Sequence, residues 1–230
     1  MTPILFVPGL LCTAEAFAAQ ARALWPFGSV TSANTLEGET MAQIAAAILR
    51  DAPPRFALCG ISMGGYLCFE ILRQAPERVL KLALLDTSAR PDRPEQTEQR
   101  RALVARARSG DFEALIAEVL TAILHPAHRD DPALREINVR MGLSVGLEGM
   151  ARQQAAVIAR VDSRPGLAAI SVPTLVLVGD SDPLTPPEQA EEMAAAIAHS
   201  RLVVVPECGH ASTLEQPDAV SRALLEWIQS

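Results

Sequence analysis

The sequence predicts an α/β fold, a doubly wound, mostly parallel six-stranded sheet with helices on both faces and an inserted helical segment. Three observations predict it. Short continuous runs of Val, Leu, Ile and Ala recur along the 230 residues, without the strict in-out alternation of a sheet wetted on one face. Helix-periodic segments separate those runs. The alternation then stops between residues 88 and 170, where no strand candidate occurs.

Taken in order, strands are expected at 4–7, 30–34, 56–59, 82–86, 174–178 and 202–205. Ile4-Leu5-Phe6-Val7 is apolar throughout and ends at Pro8-Gly9, a pair that breaks regular structure. Helices at 14–24, 41–49, 63–74 and 188–197 fill the gaps, and one at 219–228 follows the last strand. The stretch 88–170 reads as four helices, at about 95–108, 112–124, 132–144 and 147–160. Asp131-Pro132 supplies a capping carboxylate followed by Pro at the first helical position. Leu147, Met150, Gln154, Ile158 and Val161 recur at helical spacing, a mostly apolar stripe with Gln154 on it. The organisation is therefore a core of 1–87 and 171–230 with an insertion at 88–170.

Composition narrows the function classes. The formal net charge of −7 argues against a nucleic-acid groove, which needs a basic patch. No apolar run approaches the roughly 18–20 residues of a membrane span, because charge, Pro or Gly interrupts each one. The apolar N-terminal stretch has no Lys or Arg before it and is cut by Pro8-Gly9, so it reads as a buried strand and not as a secretion signal. Cys12, Cys59, Cys68 and Cys208 show no metal-ligand spacing. The expectation is a cytoplasmic protein with reduced thiols. His125, His128, Asp130 and Asp131 read as a solvated loop, and Arg160, Asp162 and Arg164 as a hinge ion-pair cluster.

Gly60-Ile61-Ser62-Met63-Gly64 carries the chemistry. This G-x-S-x-G pentapeptide lies between an apolar strand and a helix. A turn that tight needs glycines on either side of the serine, and it lifts the hydroxyl clear of the sheet at a helix N-terminus. A serine hydroxyl needs a base and an orienting carboxylate to become nucleophilic. The fifth strand ends in Gly179-Asp180-Ser181-Asp182-Pro183 and the sixth in Cys208-Gly209-His210-Ala211. The order Ser62, Asp182, His210 is the one such an elbow requires.

On these residues the chain resembles the α/β-hydrolase-fold superfamily, in particular its small esterase- and lactonase-like serine hydrolases with a helical cap. The resemblance spans the whole chain, with 88–170 in the usual place of the cap. It implies Ser62 as nucleophile, His210 as general base and acid, and Asp182 as the orienting acid. Asp86, at the end of the fourth strand, and Asp180 are the alternative acids. The implied oxyanion donors are the backbone N–H groups of Met63 and Leu10, since Pro8 has none. Family members commonly carry His-Gly where this chain has Pro8-Gly9, and the family's first two strands have no counterpart, which leaves a shortened sheet.

The implied activity is hydrolysis of a small-to-medium carboxylic ester or lactone through an acyl-serine, with no cofactor and no metal. The partner is then a small-molecule ester or lactone, not nucleic acid or membrane. Carbon–carbon bond hydrolases and cofactor-free haloperoxidases share the elbow and stand as alternatives, as does a non-catalytic ligand-binding receptor. Cys12, Met141, Leu143, Met150 and Gln154 are the expected pocket walls. Aromatic residues are only 4% of the chain, so a roof shaped by Leu, Met and Val would favour apolar substrates.

Overall fold

The apolar runs pair into one sheet in a computed structural model that describes residues 1–230. The strands are β1 (Ile4–Val7), β2 (Val30–Ser32), β3 (Phe56–Ile61), β4 (Val79–Leu85), β5 (Thr174–Gly179) and β6 (Ser200–Val205). Their order is β2-β1-β3-β4-β5-β6, and every pairing is parallel. β1, β3 and β5 are buried along their whole length, whereas the edge strands β2 and β6 are largely half-exposed. Continuous burial explains the continuous apolar runs.

Alternate residues of the strands feed two separate cores. Leu5, Val7, Leu58, Leu84, Val176 and Val178 pack beneath α2 (Met41–Asp51), α3 (Met63–Gln74) and α7 (Pro187–Ala196). Ile4, Phe6, Ala57, Leu85, Leu175 and Leu177 face α1 (Ala18–Leu24) and α9 (Pro217–Gln229). A short helix, α8 (Ser212–Glu215), precedes α9.

Between β4 and β5 lie α4 (Pro94–Ser109), α5 (Phe112–Ala122) and α6 (Pro132–Ile158). The two helices expected at 132–144 and 147–160 abut as α6, which kinks at Gly146 with φ 73° and ψ 168°. That conformation is open almost only to glycine. Asp131 caps α6, accepting from the N–H groups of Ala133 and Leu134. No helix is long and apolar enough to cross a membrane.

Register positions the functional end of the sheet. Val7 lies beside Gly60, so the loop after β1 and the turn after β3 start side by side. The chain leaves β1 in one direction across the sheet and β3 in the other, and the crevice at the carboxyl ends of such strands is where ligands bind. Gly179 lies beside Val205, which brings the loops after β5 and β6 to the same end.

Candidate active site

Ser62 is forced into position by the backbone around it. It has φ 54° and ψ −119°, outside the regions that most side-chain-bearing residues adopt. Its N–H donates to Leu85 O at 2.9 Å, and its carbonyl accepts from Gly65 N at 2.9 Å and Thr87 Oγ1 at 2.8 Å. The glycines permit this crossing. A Cβ on Gly60 would sit 2.4 Å from Gly64 O, and one on Gly64 would sit 1.9 Å from Val7 O.

The loops after β5 and β6 bring two side chains to that hydroxyl. His210 Nε2 lies 2.8 Å from Ser62 Oγ, and His210 Nδ1 lies 2.7 Å from Asp182 Oδ2. A carboxylate can only accept, so the imidazole proton sits on Nδ1 and Nε2 is free to accept from the serine hydroxyl. Asp182 Oδ1 accepts from Leu184 N and Thr185 N, and Oδ2 from Thr185 Oγ1. Burial by itself pushes the Asp182 carboxyl up, but the His210 charge and these donors bring it below the usual carboxylate range. Burial likewise pulls the His210 imidazole down, and the charges of Asp182, Asp86 and Glu215 outweigh it, leaving it above 6.5.

The two alternative acids are engaged elsewhere. Asp86 is fully buried, and its oxygens accept from Gly179 N and Ser212 N, both at 3.1 Å. Burial, reinforced by the charge of Asp182, pushes its carboxyl up to about 7. Asp180 accepts from Glu207 N, Cys208 N and Ser181 Oγ, so it ties the end of β5 to the loop before His210.

The loop after β1 passes directly over the elbow. A Cβ on Gly9 would lie 3.3 Å from Ser62 Cβ. Leu11 adopts φ 61° and donates its N–H to Gln153 Oε1 at 3.1 Å, while Gln153 Nε2 donates to Thr35 Oγ1. Cys12 N donates to Gly9 O. Leu10 N has no acceptor within the protein, and Met63, as the first residue of α3, has none within its helix.

The expected pocket walls divide. Met141 packs in the core that contains Cys59 and Cys208, with Cys12 against it. Met150 packs with Leu11, Ala107, Leu115 and Val145. Gln154 is buried and accepts from Arg100 Nη1 at 3.0 Å. Leu143 does not belong with them. It is 43% exposed and lines an outer trough of about 870 Å³ with Arg135, Val139 and Arg140. Two residues along a helix is a rotation of about 200°, so an inward Met141 turns Leu143 outward. Burial pushes the Cys12 thiol up to about 11, which makes it a poor nucleophile.

Four polar residues absent from the sequence reading support this end of the sheet. Gln153 braces the β1 loop. Glu215 brackets His210, its Oε1 accepting from Gly209 N and Ala211 N and its Oε2 from His125 N, with His128 Nδ1 3.0 Å away. Asp92 and Arg100 join Arg160 beneath α4, whereas Asp162 and Arg164 pair at the surface. The expected hinge cluster is therefore two separate groups. Only the position of Glu215, shortly after His210, could have drawn attention to it, because burial of a charge leaves no periodic signal.

A nucleophile elbow on a parallel sheet, with histidine and carboxylate arriving from the last two strands, defines the α/β-hydrolase fold. Residues 37–217 match that family, and the chain belongs to it. It is similar to 3-oxoadipate enol-lactonase 2 of Acinetobacter baylyi, 32% identical over 173 residues, covering 74% of this chain and 62% of that protein. The chain thus spans less than two thirds of that lactonase. It is 29% identical over 205 residues to the pimeloyl-(acyl-carrier protein) methyl ester esterase of Vibrio parahaemolyticus, covering 84% of this chain and 77% of that one. Among solved structures, a thermophilic esterase from Thermogutta terrifontis with malate bound superposes with a TM-score of 0.89 at 35% identity, covering 100% of this chain and 90% of that one.

Proposed function

We propose that the protein is a serine hydrolase that cleaves a small-molecule carboxylic ester or lactone through an acyl-serine. The observation that carries this reading is the unbroken chain from Ser62 Oγ through His210 to Asp182, at 2.8 and 2.7 Å. The esterase and lactonase relatives support it.

In this reading Ser62 Oγ attacks the carbonyl carbon while its proton passes to His210 Nε2. The oxyanion is held by the N–H groups of Leu10 and Met63, which point no bond elsewhere. Collapse of the tetrahedral intermediate breaks the bond to the leaving oxygen, which takes the proton from His210. In a lactone that alcohol stays tethered to the acyl group. A water then attacks the acyl-serine, gives its proton to His210, and the second collapse releases the carboxylic acid as Ser62 regains a proton. Asp182 stays ionised throughout, as its lowered pKa requires. Every step uses groups of this chain and water, so no cofactor is needed. Residues 88–170 act as the cap over the site, and the four free cysteines fit a reducing, cytoplasmic setting.

p-Nitrophenyl esters from acetate to octanoate test the proposal. Release of p-nitrophenol that disappears in Ser62→Ala is the expected result. No turnover of any ester by the intact protein would overturn it and leave a ligand-binding receptor as the better reading.

A further inference from the structure

The loop after β1 holds a leucine in a conformation that leucine does not favour. Gly9, Leu10, Leu11 and Cys12 form a tight turn, closed where Cys12 N donates to Gly9 O at 3.2 Å. Leu11 is the third residue of that turn and has φ 61°. Glycine or asparagine usually takes such a place, because a larger side chain crowds the backbone there. Relaxing Leu11 to negative φ would rotate the peptide that joins it to Leu10, and Leu10 would move with it.

Two contacts from the inserted helices oppose that rotation. Leu11 N donates to Gln153 Oε1 at 3.1 Å, across 142 positions of the chain. Gln153 is 1% exposed, and its Nε2 donates at 3.1 Å to Oγ1 of Thr35, itself 4% exposed, in the loop after β2. Both ends of the amide are therefore used, and turning it over would set one buried donor against another. The Leu11 side chain meanwhile joins a cluster whose other buried members are Ala107 of α4, Leu115 of α5, and Val145 and Met150 of α6. Leucine thus stands where a turn prefers glycine because the α4–α6 segment packs against its side chain. Gln153, on the same segment, holds the backbone conformation that this packing requires. The turn lies over the nucleophile, since a Cβ on Gly9 would be 3.3 Å from Ser62 Cβ.

We infer that Gln153 is a positioning residue for the reaction: by fixing Leu11, it aims the N–H of Leu10 at the oxyanion. This deepens the serine-hydrolase reading and rests on it. The oxyanion forms only as the carbonyl carbon becomes tetrahedral. A misaimed Leu10 N–H therefore costs transition-state stabilisation and leaves ground-state binding alone.

The test is steady-state hydrolysis of p-nitrophenyl butyrate by the wild type, Gln153→Met and Gln153→Glu, with urea denaturation to establish that each is folded. Gln153→Met keeps the length and removes the acceptor, so kcat should fall roughly 10- to 100-fold at unchanged KM, as a misplacement of about 1 Å does. Gln153→Glu keeps an oxygen for Leu11 N whether or not it is protonated, because Thr35 Oγ1 can both donate and accept. It should recover most of kcat. A trifluoromethyl ketone, whose adduct with Ser62 carries an alkoxide in the oxyanion position, should lose affinity in Gln153→Met by the same factor as kcat/KM. Should Gln153→Met not fold, Thr35→Val takes its place, with the shape of threonine but no acceptor for Gln153. A lowered kcat at unchanged KM then supports the inference, and an unchanged kcat overturns it. An unchanged kcat in folded Gln153→Met, a loss confined to KM, a loss that Gln153→Glu does not recover, or an unaltered ketone affinity overturns the inference and spares the hydrolase reading. No hydrolysis by the wild type overturns both.

Discussion

At His210 the two ring nitrogens face different partners, and this asymmetry decides what each neighbouring carboxylate can do. Asp182 touches Nδ1 at 2.7 Å, whereas Asp86 spends both oxygens on backbone N–H groups. Asp182→Asn would present an amide to Nδ1 and favour the wrong tautomer, so kcat for p-nitrophenyl butyrate should fall by about 10³- to 10⁴-fold. Asp86→Asn should cost far less, and the reverse ranking would move the acid to Asp86. Asp86 acts instead through its charge, one of the influences that raise His210. The imidazole must be neutral to accept a proton, so activity is present above its pKa and lost as pH falls through it. The acidic limb of kcat/KM should therefore have its midpoint above 6.5. Removing the Asp86 charge lowers the imidazole pKa, so Asp86→Asn should move that midpoint to lower pH. An unmoved midpoint would show that the Asp86 carboxyl, pushed up to about 7, carries no charge that His210 senses in that range.

Single elements are held by polar contacts that reach across the chain. The loop carrying His210 is clamped from two sides: Glu215 at the start of the C-terminal helices accepts from Gly209 N and Ala211 N, and Ile123 O accepts from His210 N. Glu215 also reaches His125 N and His128 on the segment between α5 and α6. One carboxylate thus fastens the histidine loop to the α4–α6 segment. Glu215→Gln keeps the shape but turns an amide NH₂ toward backbone donors. It should cost about 1–3 kcal/mol of stability in urea denaturation, and an unchanged midpoint would mean the clamp contributes nothing. Gln153 plays the matching part for the loop after β1, since its oxygen holds Leu11 in a positive-φ conformation.

The whole molecule sets a buried sheet against the far less buried helix α4. β3 and β4 are buried on both faces, whereas α4 buries only Ala107 along sixteen residues. Hydrogen exchange should therefore show α4 amides exchanging well before those of β3, and equal protection would mean that helix and sheet open together. The same contrast explains what could be read from the residues alone. The strands were legible because burial on both faces leaves continuous apolar runs. Ser62, Asp182 and His210 were legible because each follows a strand with its own turn chemistry. Leu143 was misplaced because apolarity alone does not give the phase of a helix. Asp92 lies in Arg90-Pro91-Asp92-Arg93-Pro94, which has the composition of a solvated loop. Its burial depends on α4 and α6 closing over it, contacts that no local pattern announces. Gln153 and Glu215 were missed for the same reason, since each meets partners far from it in the chain.

If the proposed function holds, Ser62 is a nucleophile activated by His210. Its most direct test is intact-mass and peptide-mapping spectrometry after exposure to a fluorophosphonate, which phosphonylates an activated serine and loses fluoride. One adduct per chain is expected, on Ser62, with labelling slowed by orders of magnitude in His210→Ala. An unlabelled Ser62, or labelling as fast without His210 as with it, would contradict it.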